Sequence, residues 1–414
     1  MLTYTINKKD KSLSGEVTLA PCRSISNRSL VIKAIISSKS EIKAMSDKDA
    51  KRIIDKSVRK GKVPLDKGEP LKAIRFLRAF FSFFGGEWII TGSDEMYKRP
   101  VGDVIKILQE QGFNIKYLER SGFPPLKIIG KGFKGNITRV DASISSEFIN
   151  TSLLFAQSLP KDDLIELKDS IIKSPFIFQT IRLFSYLGVN STWERDEVLT
   201  EYELNDGSEM SVEGDWTSAS YWFQMVALAK KAEIMVKGLN SESIQGDAIV
   251  KDIFTQLGVN TEVTADGLVL KKAKPKIKNL EYDFSNNPDI VPTVAVTCVA
   301  LGIPFRFSGV ESLRHKDSDR LMAIQTQMAL LGAKVTFEKM GEFETMIFNG
   351  TAKGFGKKAP ALNSFNDHRI VMALAPLSLL VPDLTIENPK VTAKSYPCYW
   401  EDMKKVGFNF EQTV

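Results

Sequence analysis

Five glycines, Gly112, Gly188, Gly258, Gly332 and Gly407, close five amphipathic segments, and they follow one another at intervals of 70 to 76 residues. The segments read VIKILQEQGFN, TIRLFSYLGVN, VKDIFTQLGVN, MALLGAKV and MKKVGFN. A period of that length means one supersecondary unit made several times over. Glycine belongs just past a helix end, because the chain leaves the helix through a left-handed conformation that a Cβ disfavours. A second element recurs in the same rhythm, a short polar opening followed by an apolar helix. It reads CRSISNRSLVIKAI from Cys22, SISSEFINTSLLFA from Ser143, DWTSASYWFQMVALA from Asp215, NPDIVPTVAVTCVAL from Asn287 and NDHRIVMALAPLSLL from Asn366. A weaker copy, GEPLKAIRFLRAFF, starts at Gly68. Short alternating stretches between them, such as EWIITG, LIELKD, AEIMVKG, KVTFEK and LTIENP, predict strands. The chain therefore predicts an α/β fold of six βαβαββ-like units in two lobes of three. The first unit is shortened, since only about 40 residues separate Ser24 from the DKGEP turn.

A length of 414 residues exceeds what one hydrophobic core serves, which agrees with two lobes. The formal charge of +6 suits anionic small substrates. Without a polybasic tail or a basic run interleaved with aromatics, nucleic acid is not expected as a partner. Cys22, Cys298 and Cys398 are far apart and not at metal-ligand spacing, so neither a disulfide framework nor a zinc site is expected. The opening MLTYTINKKDKSLSG lacks a signal-peptide core, and no segment reaches membrane-span length. A cytoplasmic protein, with no membrane partner and no partner subunit, is the expectation.

In every copy of the apolar helix the polar residues stand at its N-terminal end, where free N–H groups and the helix dipole favour anions. Read as structure alone, these Ser, Asp and Asn residues are N-caps. The only two histidines, His315 and His368, both fall in charged clusters, LRHKDSDRL and FNDHRIV. The first cluster reads either as a solvated helix start with i,i+3 and i,i+4 ion pairs, or as an anion site. In the second reading Lys316 and Arg320 hold substrate anions, Arg320 with a planar fork, and Asp317 moves a proton between them.

The order of motifs resembles a known family. APCRSISNR resembles the opening loop of the enolpyruvyl transferases, usually Lys-Ser-x-Ser-Asn-Arg. YKRP, SISSEF, NPDI, HKDSDR, NDHR and VTAKSYP follow in the family's order, from residue 20 to residue 400. The set resembles the 5-enolpyruvylshikimate-3-phosphate synthases. It is less like the UDP-N-acetylglucosamine enolpyruvyl transferases, because no cysteine sits in a matching catalytic loop.

That resemblance implies a two-lobed inside-out α/β barrel, with one lobe at 21–214 and the other at 1–20 plus 215–414, and a cleft between them. It implies no metal or organic cofactor. The implied reaction joins shikimate-3-phosphate to phosphoenolpyruvate with release of phosphate. The acceptor 5-hydroxyl attacks C2 while C3 is protonated, and the tetrahedral intermediate then loses phosphate. By motif match, Ser24 and Arg28 hold the shikimate carboxylate, and Ser145 and Ser146 its phosphate, while Arg23, Ser312 and Lys316 contact the acceptor. Asp289 accepts from the attacking hydroxyl. Arg23, Arg99, Arg320, Arg369 and Lys394 surround phosphoenolpyruvate, and Glu147 lies between the two substrates. Asp289, Asp317, His368, Lys394 and Arg23 are the implied catalytic set.

Several positions depart from the family pattern. Arg23 stands for a lysine, Glu147 for a glutamine, Lys173 for a phosphate-binding serine and Phe176 for a tyrosine. Ser312 stands for an asparagine, Glu95 for an arginine and Asp317 for a glutamate. Leu71 occupies a position where glycine lets the backbone approach phosphoenolpyruvate, and Pro70 removes a backbone donor. Lys173 is expected to pair with Glu147 or to take over the acceptor phosphate, since an isolated buried carboxylate is costly. The departures leave two alternatives beside the synthase: a transferase with a different acceptor, or a catalytically impaired binding relative.

Overall fold

The computed structural model describes residues 2–26, 62–65, 86–92, 102, 105–106, 109, 114–130, 139–140, 165–167, 182–183, 189–194, 197–202, 212–341, 343–357 and 360–413. The chain divides into two compact units. One comprises Met1–Cys22 with Glu213–Val414, and the other Arg23–Val212.

The first unit opens with strands β1 (Thr3–Asn7) and β2 (Ser12–Thr18). In the other unit, β3 (Lys62–Leu65), β4 (Gly86–Gly92), β5 (Asn114–Tyr117) and β6 (Leu126–Gly130) form a sheet in the order β3-β4-β6-β5. There β7 (Arg139–Val140), β8 (Ile165–Leu167), β9 (Val189–Glu194) and β10 (Glu197–Tyr202) form a second, in the order β7-β8-β10-β9.

The first unit resumes with helix α1 (Trp216–Leu228), β11 (Lys231–Lys237), α2 (Val250–Leu257), β12 (Val259–Thr264) and β13 (Gly267–Lys272). Next come β14 (Leu280–Asp283), α3 (Val291–Leu301), β15 (Phe305–Ser308), α4 (Arg320–Leu330), β16 (Ala333–Met340) and β17 (Phe343–Ala352). The last elements are α5 (His368–Leu374), β18 (Leu384–Glu387), α6 (Tyr399–Lys405) and β19 (Asn409–Thr413). Its sheets run β12-β13-β11-β2, β14-β15-β17-β16 and β18-β1-β19.

Among the described residues, the four four-stranded sheets are paired in the same way. The first two strands in chain order are parallel (β3 with β4, β7 with β8, β14 with β15, β2 with β11). The last two form an antiparallel hairpin whose second strand lies beside the second parallel strand. A parallel pair needs a crossover, and α3 supplies it between β14 and β15.

Two kinds of helix pack against these sheets. In α2 the buried residues are Val250, Ile253, Phe254 and Leu257, a single stripe at helical spacing. By contrast, every residue of α1 is buried, as are Val291–Val299 of α3 and all of α5 but Arg369. Helices apolar all round belong inside a unit. Their few polar residues tie them together: Ser220 and Thr293 hydroxyls lie 3.1 Å apart, and Gln224 Nε2 donates to the Ala373 carbonyl at 2.9 Å. Gly258 ends α2 at φ +98, and a Cβ there would stand 2.8 Å from the Ala273 carbonyl oxygen. Gly332 and Gly407 also have positive φ, while Gly112 and Gly188 lie outside the described residues.

Candidate active site

An acidic residue stands at or just before the start of each of the buried helices α1, α3 and α5, and two of these acids are caps. Asp215 accepts from Ser218 N at 2.6 Å and Asp367 from Arg369 N at 2.9 Å. Asp289 is different. It sits in the 3-10 turn Pro288–Ile290 ahead of α3, and its carboxylate faces cations. Arg320 Nη1 and Arg369 Nη2 each donate to it at 3.0 Å, and Lys316 Nζ stands 3.7 Å away. Arg320, 3% exposed, is the first residue of α4 and also clasps Asp367, with Nε at 2.8 Å and Nη2 at 3.4 Å. Burial favours the neutral form of the Asp367 carboxyl, yet Arg320 more than offsets this and holds it below the usual range. Burial also works against the Arg369 charge, but Asp289 together with Tyr221, Asp215 and Asp247 keeps its pKa raised.

Beside this cluster lies a proton-transfer set. Asp317 Oδ2 is 3.4 Å from His368 Nδ1 and 3.3 Å from Lys394 Nζ. His368 and then Lys394 hold the Asp317 carboxyl well below the usual carboxylate range. Burial pushes the His368 imidazole below its ordinary value, so it is neutral at physiological pH. Its Nδ1 faces Asp317 and, at 3.8 Å, Asp367. Nδ1 makes no well-aligned hydrogen bond among the described residues; the charge of the two carboxylates alone favours hydrogen on Nδ1, which leaves the Nε2 lone pair able to accept a proton. Asp317, Asp367 and His368 also bring three potential metal ligands within 4.8 Å of one another. Arg320 and Lys394 already neutralise both carboxylates, so a cation would have to displace them.

Four further side chains, to which the motifs assigned no role, join the cluster. Thr217 Oγ1 donates to Asp247 Oδ2, from the first turn of α1 to the 3-10 turn Gly246–Ile249. Desolvation, with Asp289 nearby, pushes the Asp247 carboxyl up to about 6. Tyr221, one turn beyond Thr217, is fully buried; burial raises its hydroxyl to about 12, with Arg369 pulling the other way. The only sequence signal for this group is the i,i+4 spacing of Thr217 and Tyr221 on one helix face. The fourth is Asp367, whose Arg320 contact spans 47 residues.

Of the residues expected from the sequence, Asp289, Lys316, Asp317, Arg320, His368, Arg369 and Lys394 gather here. Ser312 is exposed, in the 3-10 turn Glu311–His315 that leads to them. Arg23 and Ser24 belong to the other unit, in the helical turn 23–26, with Arg23 exposed. Arg28, Pro70, Leu71, Glu95, Arg99, Ser145, Ser146, Glu147, Lys173 and Phe176 lie outside the described residues.

Solved structures share this fold. An EPSP synthase from Acinetobacter baumannii superimposes with a TM-score of 0.68 at 17% identity, covering 100% of both chains. The enolpyruvyl transferase NikO from Streptomyces tendae gives 0.65 at 13% identity, covering 100% of this chain and 98% of that one. The architecture is thus the α/β fold of the enolpyruvyl transferases. A family model for EPSP synthase (3-phosphoshikimate 1-carboxyvinyltransferase) matches residues 45–403. A 3-phosphoshikimate 1-carboxyvinyltransferase from Bacteroides fragilis is 34% identical over 401 residues, 96% of this chain and 97% of that one. Another, from Vibrio atlanticus, is 29% identical over 423 residues, 95% and 97% of the two chains. The chain belongs to the EPSP synthase family.

Proposed function

We infer that this protein is a working member of that family. It transfers the enolpyruvyl group of phosphoenolpyruvate to the 5-hydroxyl of shikimate-3-phosphate and releases inorganic phosphate, a step of the shikimate pathway to aromatic amino acids. The observation that carries this reading is the single carboxylate of Asp289 facing Lys316, Arg320 and Arg369, with Asp317, His368 and Lys394 beside it. Substrates bearing phosphate and carboxylate need concentrated cations, and enol chemistry needs proton donors and acceptors next to them.

In this reading Arg320, Arg369 and Lys394 take phosphoenolpyruvate, and Lys316 takes the acceptor. An arriving phosphate, with more charge than one carboxylate, draws the guanidiniums away from Asp289. Asp289 is then released to accept the hydrogen of the attacking hydroxyl. Lys394 delivers a proton to C3, with Asp317 orienting it, and His368 accepts or returns a proton through Nε2. Arg23, Ser24, Arg28, Ser145, Ser146, Ser312 and Lys173 serve the acceptor, and Arg99 and Glu147 the region of phosphoenolpyruvate. The same reading has six repeated units in two lobes, 21–214 and 1–20 with 215–414. It has the protein act as a cytoplasmic monomer on small molecules, without cofactor or nucleic acid.

The test is phosphate release from purified protein with shikimate-3-phosphate and phosphoenolpyruvate, each omitted in turn. Release that requires both is expected. Folded protein that binds phosphoenolpyruvate yet releases nothing with this acceptor would overturn the reading in favour of a changed acceptor or lost turnover.

A further inference from the structure

Lys316 and Asp317 lie on the short stretch that joins the 3-10 turn Glu311–His315 to α4. A stretch of this kind has no ladder of backbone bonds to hold it, yet three of its residues reach groups on other elements. Lys316 reaches toward Asp289, Asp317 toward His368 and Lys394, and Ser318 Oγ donates to Asp367 at 3.1 Å. What fixes the stretch is Arg314, on its near side. Its Nη1 donates to Asp319 Oδ2 at 2.7 Å, which closes the mouth of the loop made by residues 315–318. The other oxygen of Asp319 caps α4 through Met322 N at 2.9 Å. The rest of the guanidinium is engaged by Glu344 on β17, Nε at 2.8 Å and Nη2 at 2.6 Å, a bidentate fork. Glu344 is 4% exposed, and its own N–H is held by Glu311 Oε1 at 2.6 Å. The guanidinium carbon also lies 5.0 Å from the centre of the Phe337 ring on β16.

We propose that Arg314 is a positioning residue: gripped by the rigid β16–β17 hairpin through Glu344, it staples both ends of the 315–318 loop and so sets Lys316, Asp317 and Arg320 at their working distances. The proposal rests on the functional reading above. Arg314 itself touches neither Asp289 nor His368, and its effect on turnover passes through the loop. Lysine cannot replace it, because one ammonium cannot span Glu344 and Asp319 with fixed directions. A displacement of about 1 Å in such a frame lowers turnover by on the order of 10²-fold.

The test compares kcat/KM for phosphoenolpyruvate in the parent, Arg314→Lys, Glu344→Gln and Asp319→Asn, with melting temperature followed in parallel. Asp319→Asn retains a capping side chain while removing the charge that closes the loop. A core variant in another sheet, Val236→Ala, serves as the control for lost stability alone. A fall of about 10–100-fold is expected in each of the three, with Val236→Ala close to the parent. In Arg314→Ala, added guanidinium ion is expected to restore part of the lost turnover. Values for Arg314→Lys and Asp319→Asn within threefold of the parent would overturn the proposal. So would a loss no greater than that of Val236→Ala at equal melting temperature. A parent that itself releases no phosphate would refute the functional reading. The staple would then be judged by calorimetric binding of phosphoenolpyruvate, where variants equal to the parent refute it.

Discussion

Asp247 is held ionised at neutral pH in a place that resists the charge. Desolvation comes first, and Asp289 and Asp215 repel it, while the Thr217 hydroxyl and Arg369 offset only part of this. Replacement by asparagine leaves an oxygen to accept from Thr217 and removes the charge. At about 1.4 kcal/mol for each pH unit of displacement, a carboxyl raised from 3.8 to about 6 carries an ionisation penalty of about 3 kcal/mol. Partial exposure of the residue trims this to about 2 kcal/mol. The sign follows from proton binding. Between pH 4 and pH 6 the folded state binds more protons at Asp247 than the unfolded chain, so this residue's contribution falls as pH rises through 6. Asp247→Asn should therefore be more stable than the parent by about 2 kcal/mol at pH 7.5, with the advantage fading toward pH 5. Urea denaturation followed by tryptophan fluorescence measures it, since Trp216 and Trp222 are buried in the same unit. A variant less stable than the parent at pH 7.5, or an advantage that does not change with pH, would refute the reasoning.

Arg320→Lys cannot hold Asp289 and Asp367 together, and should cost roughly 1–3 kcal/mol of stability and about 10²-fold in kcat/KM for phosphoenolpyruvate; unchanged kinetics would remove Arg320 from the anion site. The depressed His368 imidazole stays neutral in the fold while the unfolded chain binds its proton below pH 6.5, so stability falls as pH drops from there toward the folded value. His368→Gln should lack this component in an acid titration of melting temperature, whereas equal slopes would refute it. Asp317 is depressed instead, so its contribution is complete above the ordinary carboxylate range and is lost only at lower pH. Gly258→Ala forces a Cβ toward a backbone carbonyl at positive φ and should lower stability by about 1–3 kcal/mol; a variant as stable as the parent would show that the turn relaxes freely.

The helix-closing glycines Gly258, Gly332 and Gly407 and the apolar helices α1, α3 and α5 were legible because both signals are local: a positive φ and an apolar run are properties of a few adjacent residues. The strands AEIMVKG and KVTFEK appear as β11 and β16 for the same reason. The cap reading of the helix starts holds at Asp215 and Asp367, which cap α1 and α5, and Asp367 clasps Arg320 as well. The LRHKDSDRL cluster shows the limit. One of its two readings was a solvated helix start with i,i+3 and i,i+4 pairs. Arg314 instead pairs with Asp319, five residues on, and with Glu344, thirty residues away. Asp247 and Tyr221 were not legible because their surroundings come from elements far apart in sequence, and desolvation has no signature in a string of letters.

β1 is the middle strand of its sheet, with β18 on one side and β19 on the other, and Thr3 lies 410 residues from its partner Thr413. β2 likewise completes the sheet of β11 across the whole length of the other unit. On a ribosome adding roughly 5–20 residues per second, these first-made strands wait tens of seconds before the segments they pair with exist. A strand held open for that long leaves its N–H and C=O groups unpaired, and is a target for chaperones and for wrong pairing. The order of synthesis therefore obliges the first unit to be the last to finish, while the segment 23–212 can condense around its own sheets as it emerges.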